Sequence, residues 1–363
     1  MRRQTIDRRA SGISSEALRV KRVWWLPSIC LLSLVLTAAA TALPRAFPLP
    51  SFPRYAPIDR PGPAVTVSEA AVERNLFCWH PPAPRGRPVL LVPGTGTIPS
   101  VDYAWNYERA FRKTGVAWCA LTLPASANGD IQTAGEYIVA ATRMMAKASR
   151  SKIDIVGWSQ GGMVPRWALR FWPDTRTLVA NVVGLAPSNH GTTAVAGVCR
   201  SSCLPALRQQ GRASRFIFAL NSYAETFPGI AYTNIYTRHD DIVIPNLDAT
   251  GSSALHTGAG VISNVALQDV CPQNKARHFA IGTYDPVAYA LVTDALSHSG
   301  QGASAARLSR AVCRQKYQAG VNPATFRRDL AALNAFVAAN RYVGGTSRSE
   351  PPLAPYVFAS DRR

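Results

Sequence analysis

Residues 157–161 read Gly-Trp-Ser-Gln-Gly, a G-x-S-x-G pentapeptide whose flanks leave it few ways to fold. The stretch before it, 152–156 (KIDIV), is short and rich in β-branched residues, which predicts a buried strand. The stretch after it, 163–171 (MVPRWALRF), predicts the opening of a helix. A sharp strand-to-helix turn forces the central Ser159 into a strained backbone conformation. Glycines on both sides let strand and helix approach without a Cβ clash. The serine hydroxyl is then exposed at the edge of a sheet. The N–H of Gln160 stands at the helix N-terminus, where it can stabilise a developing oxyanion. An ordinary tight turn could use the same residues, but the strand and helix around them favour a nucleophile.

The rest of the chain fits that turn. Apolar strand-like runs at 88–92, 116–121, 152–156, 179–185 and 232–236 alternate with helical patterns such as 136–148. Strands separated by helices predict parallel pairing and an α/β fold, a central mostly parallel sheet flanked by helices. Residues 193–227 break the rhythm with an insertion holding Cys199, Cys203 and four arginines, a lid-like element or a surface excursion. Ahead of the strands, seven prolines fall within 44–63, which makes 44–64 an extended tether and starts the catalytic domain, 65–363, near Val65.

Composition narrows the setting. A hydrophobic content of 47% with 17% charged residues is that of a chain with a substantial core and excludes wholesale disorder. The formal charge of +19 suggests nucleic acid, but residues 1–22 hold seven of the basic residues and the remainder is thinly spread. No basic cluster interleaved with aromatics accompanies it, so a nucleic-acid partner is not expected. Anionic lipid or cell-envelope polymer remains a partner for such a surface. The basic start precedes an apolar run, 23–43, that ends in alanines, so 1–43 reads as a signal peptide or an uncleaved signal anchor. Either form places the remainder outside the cytoplasm. With Cys30 inside that segment, six cysteines remain (Cys78, Cys119, Cys199, Cys203, Cys271 and Cys313), an even number that suggests disulfides in an exported domain. No spacing points to a zinc site, and no metal or other cofactor is expected.

A serine hydroxyl needs a base, and the base needs a carboxylate to fix its tautomer. On this fold the acid and then the histidine follow the serine in the chain. The 232–236 strand runs into Thr237-Arg238-His239-Asp240-Asp241, which nominates Asp240, with Asp241 as the alternative. Catalytic groups collect at the carboxyl edge of a parallel sheet. Chain order disfavours His190, and His239 adjoins the acid too closely, leaving His256, His278 and His298. His278 is preferred because it lies in a loop that Cys271 could tie down. The Gly-rich loop Pro93-Gly94-Thr95-Gly96-Thr97 can bring the N–H and hydroxyl of Thr95 to an acyl oxygen.

Taken together, LLVPGTGT, GWSQGG, TNIYTRHDDIVIP, a histidine shortly after a cysteine and the C-terminal EPPLAPY resemble the family of Candida antarctica lipase B. The resemblance runs from about Phe77 to Phe358. It implies the α/β-hydrolase fold, with Ser159 as nucleophile, Asp240 as acid, His278 as base, and Thr95 and Gln160 as oxyanion donors. It implies that Trp158 shapes the pocket for the alcohol part of an ester. It also implies disulfides Cys78–Cys119 and Cys271–Cys313, while a local Cys199–Cys203 bridge is an inference from proximity. The family's C-terminal disulfide has no counterpart, since no cysteine follows Cys313. Residues 185–192 further resemble a segment of bacterial lipases. The expectation is an exported serine carboxylic-ester hydrolase, lipase or esterase, acting as a monomer on small-molecule or lipid esters with possible contact to a lipid surface. An extracellular acyltransferase and a non-catalytic envelope-binding protein are the alternatives.

Overall fold

The structure, a computed structural model, describes residues 54–359. The apolar segment 23–43 and Cys30 lie outside them, and no described helix is long and apolar enough to cross a membrane. Seven strands form one sheet: β1 (Leu76–Trp79), β2 (Val89–Val92), β3 (Trp118–Leu121), β4 (Ile153–Trp158), β5 (Val179–Leu185), β6 (Ala231–Tyr236) and β7 (Val261–Ala266). Their order is β1-β3-β2-β4-β5-β6-β7. Only β1 runs antiparallel to its neighbour; every other pair is parallel. This is the architecture that alternating strands and helices predict.

Side chains alternate across the strands and so feed two cores. Leu90, Val92, Ile153 and Ile155 face one core, which they share with the helices Ile131–Ser149 and Gln160–Phe171. Val89, Leu91, Val156, Trp158, Val183 and Leu185 face the other, beneath the helices Tyr107–Thr114 and Pro286–Ser297. On the first side Trp167 stacks on Phe216 with ring centroids 4.3 Å apart, and a Cβ at Gly135 would lie 2.5 Å from its ring. Gly135 therefore serves a close helix crossing. The helix begins at Ile131, five residues before the start expected from sequence, because Asp130 caps it through the Gln132 N–H at 2.9 Å.

Two strands are added to the sequence reading. β1 forms the antiparallel edge, and β7 extends the sheet beyond β6. Residues 54–64, expected to belong to a tether, instead lie along the domain. Ala56 is buried and its N–H donates to Val357 O at 2.8 Å. Trp172 Nε1 donates to Pro63 O at 2.7 Å, and Arg170 reaches Ala56 O. Proline suits this role, since its backbone needs no donor partner when it packs as an extended strap. The packed region thus begins before Val65.

Three disulfides join Cys78–Cys119, Cys199–Cys203 and Cys271–Cys313. Where no cysteine closes the C-terminal segment, hydrogen bonds hold it. Glu350 accepts from the N–H groups of Arg215 and Phe216, and Gln132 bonds both Pro352 O and Ala354 N.

Candidate active site

The chemistry-bearing residues follow the carboxyl ends of β2, β4, β6 and β7. β4 delivers Ser159, whose backbone (φ 56°, ψ −123°) lies in the left-handed half of conformational space. The glycines beside it are required by contact. A Cβ at Gly157 would sit 2.0 Å from Gly161 O, and one at Gly161 would sit 2.2 Å from Val92 O. The Ser159 N–H is anchored to Leu185 O at 2.8 Å, and the next residue, Gln160, opens the helix.

The loop after β6 carries Asp240. One carboxylate oxygen accepts from the N–H groups of Ile242 and Val243, at 2.9 and 2.8 Å. The other lies 3.1 Å from His278 Nδ1. Both side chains are closed from solvent, at 0% and 3% exposure. Asp241 does something else: it accepts from the His278 backbone N–H at 3.3 Å and pairs with Arg277 at 3.1 Å. One aspartate meets the imidazole and its neighbour fixes the backbone beneath it. Trp158 supports the imidazole from behind, donating from Nε1 to His278 O at 3.1 Å with its ring 5.4 Å from the imidazole.

The other histidines lie elsewhere. His256 and His190 gather around Glu225, His298 pairs with Asp294, and His239 is exposed. None lines the cavity that contains Ser159 and His278.

That cavity has a volume of about 260 Å³. Its apolar wall is made by Leu204, Leu207, Ile242, Val243, Phe279 and Val337. Leu204 and Leu207 come from the 193–227 insertion, and Val337 comes from the helix Phe326–Asn340. The insertion is thus a wall of the site. Two larger clefts, of about 850 and 570 Å³, lie beside the Cys271–Cys313 and Cys78–Cys119 disulfides, and neither is lined by Ser159 or His278. Size alone would misplace the chemistry.

Thr95 lines the cavity opposite the serine. Its hydroxyl donates to Gln160 Oε1 at 2.8 Å and accepts from Gln210 Nε2 at 2.8 Å. The hydroxyl is therefore committed, whereas the backbone N–H groups of Thr95 and Gln160 have no hydrogen-bond partner among the described residues. Gln210 had no signature in the sequence; a Gln-Gln pair inside an insertion reads as surface. Among the described residues, the one cluster of metal-type donors is Cys78, His80 and Cys119, and its two sulfurs are taken up by a disulfide.

A family model for class 2 lipases matches residues 103–275. The chain is 29% identical to lipase B of Pseudozyma antarctica over 309 residues, covering 83% of this chain and 89% of that protein. The crystal structure of Aspergillus fumigatus lipase B superposes with a TM-score of 0.72 at 28% identity, covering 86% of this chain and 77% of that one. Over most of its length the chain resembles the lipase B family, and it is a carboxylic ester hydrolase with the α/β-hydrolase fold.

Proposed function

We propose that the protein is an exported serine lipase or esterase that works through Ser159, His278 and Asp240 and an acyl-enzyme intermediate. The observation that carries this is the solvent-closed pair of His278 Nδ1 and Asp240, 3.1 Å apart, at the same cavity as the strained Ser159. Asp240 keeps the proton on Nδ1, which leaves Nε2 as the base. Ser159 Oγ attacks the ester carbonyl carbon and its proton passes to His278. The carbonyl oxygen, now an oxyanion, accepts from the N–H groups of Gln160 and Thr95. Collapse of the tetrahedral intermediate breaks the C–O bond, and the leaving alcohol takes the proton from His278. Water then repeats the sequence on the Ser159 ester and releases the acid.

The apolar cavity wall suits an acyl chain. Contact with a lipid surface is supported by Ile242, Tyr342 and Val343, apolar side chains exposed at or next to the cavity lining. Three disulfides and the basic, then apolar, 1–43 segment support export. The test is hydrolysis of p-nitrophenyl esters, from acetate to palmitate, by the wild-type protein and by Ser159→Ala. Ser159→Ala is expected to lose at least about 10⁴-fold in kcat, and the chain-length profile separates esterase from lipase. Equal turnover by the two proteins would sink the proposal.

A further inference from the structure

Asp102 ends the short helix Pro99–Asp102 that follows the Gly-rich loop, and it is wholly buried. Its Oδ2 accepts from the Gly94 N–H at 3.2 Å and lies 2.5 Å from Thr97 Oγ1. Thr97, also wholly buried, contacts Gly94 O through the same hydroxyl at 2.9 Å. Both polar backbone groups of Gly94 are therefore tied to one acid, one directly and one through Thr97. Thr95, the next residue, is held at its far end by the Gly96 N–H to Ser126 O at 2.8 Å.

Hydrogen counting favours the neutral form of that acid. Thr97 has one hydroxyl hydrogen and faces two acceptors. If Asp102 is neutral, its Oδ2–H donates to Thr97 Oγ1, the Thr97 hydroxyl donates to Gly94 O, and every close contact is satisfied. If Asp102 is ionised, the Thr97 hydroxyl must serve the carboxylate and Gly94 O keeps only the longer contact from the Thr97 backbone N–H, at 3.3 Å. An ionised Asp102 would also be a buried anion whose Oδ1 has no partner, and no cation is bonded to it among the described residues. Burial pushes its carboxyl up to about 7, against the opposing hydrogen bonds from Thr97 and Gly94. The ionisable groups on the surrounding elements include Tyr103, Tyr107, Glu108 and Arg109, with Arg328 and Asp329 from the helix Phe326–Asn340 that packs on this one.

We propose that Asp102 is a positioning residue for the oxyanion site: as a neutral acid it clamps Gly94 directly and through Thr97, and so aims the Thr95 N–H at the reacting carbonyl. The proposal rests on the reading of Thr95 as an oxyanion donor. Ionisation of Asp102 loosens the clamp and sets a negative charge behind a developing oxyanion, so turnover falls as pH rises.

The test is kcat and KM for p-nitrophenyl butyrate from pH 5 to 9 with wild type, Asp102→Asn, Thr97→Val and Glu108→Gln. An amide at 102 cannot ionise, and one atom of it cannot both donate to Thr97 and accept from Gly94. Asp102→Asn is therefore expected to lower kcat about tenfold or more with KM within about twofold, and to abolish the alkaline decline. Thr97→Val, nearly equal in volume, is expected to lower kcat in the same way and serves alone if Asp102→Asn does not fold. Glu108, which burial also pushes up to about 7, is the competing titration. Its Gln variant is expected to keep the decline. Wild-type kcat in both Asp102→Asn and Thr97→Val overturns the proposal, as does an alkaline decline that survives in folded Asp102→Asn. If the wild-type protein cleaves no ester at all, the hydrolase reading falls first and takes this one with it.

Discussion

Asp240 and Asp241 are neighbours with separate tasks: one meets the imidazole of His278, the other its backbone N–H. Their amide variants should therefore diverge. Asp240→Asn is expected to lower kcat by about 10⁴-fold, since an amide favours the wrong imidazole tautomer. Asp241→Asn should stay within about tenfold, having lost only a backbone contact and a half-exposed pair with Arg277. Steady-state kinetics on one ester decides it, and equal losses would contradict the division of labour. Chain order and strand ends narrowed the acid to these two from sequence, because a serine that needs a base leaves a pattern along the chain. Gln210 and Asp102 leave none. They act on side chains and backbone groups brought near only by folding, and a buried acid that grips one N–H and one hydroxyl reads in sequence like any helix-end aspartate.

At the scale of elements, strands buried along their whole length were legible from their apolar, β-branched and aromatic bias; β2, β4, β5 and β6 are of this kind, even with Asp154, Asn181 and Asn234 inside three of them. The two edge strands were not. β1 is only partly buried, and β7 is exposed or half-buried over its first four residues, so the apolar bias that marks a central strand is weaker in both. Asn264 in β7 is there for tertiary reasons, donating to Leu255 O at 2.8 Å and accepting from the Leu255 N–H at 3.1 Å. The proline-rich stretch misled for a different reason, since composition reports that a segment is extended but not whether something packs on it. A fragment starting at residue 65 removes the partner of Trp172 Nε1 and the Ala56 O partner of Arg170, which keeps Ser222 and whose burial already pulls its guanidinium down to about 10. Compared with the chain from 52, it is expected to be less stable by about 2 kcal/mol or more, from two lost hydrogen bonds to buried donors. Urea unfolding of the two fragments measures this, and identical midpoints would show that the strap contributes nothing.

For the molecule as a whole, one buried charge arrangement lies away from the chemistry, around Glu225 and Arg166, both nearly closed from solvent. Burial alone would push the Glu225 carboxyl up. The His190 ring at 2.5 Å, the Arg166 charge and the His256 N–H outweigh it and hold the group at about 2. A carboxyl held below its ordinary value of 4.5 adds stability above that value, and the gain is lost as pH falls through about 2. Discounted for screening by solvent, the contribution is on the order of 1–2 kcal/mol. Glu225→Gln should lose that part of the acid dependence and, near neutral pH, cost about 1–3 kcal/mol through the lost charge-assisted contact with His190. Denaturation at pH 7, 4 and 2 tests both; parallel pH curves for variant and wild type would remove Glu225 from the account. One feature at this scale reaches beyond stability. The Ala359 N–H donates to Arg54 O at 2.8 Å, and Tyr55 stacks on Phe358, so residues far apart in the chain are clasped together like the two halves of a buckle. Residues 54–55 and 358–359 therefore hold or let go as one unit: loosening either segment frees the other from the domain.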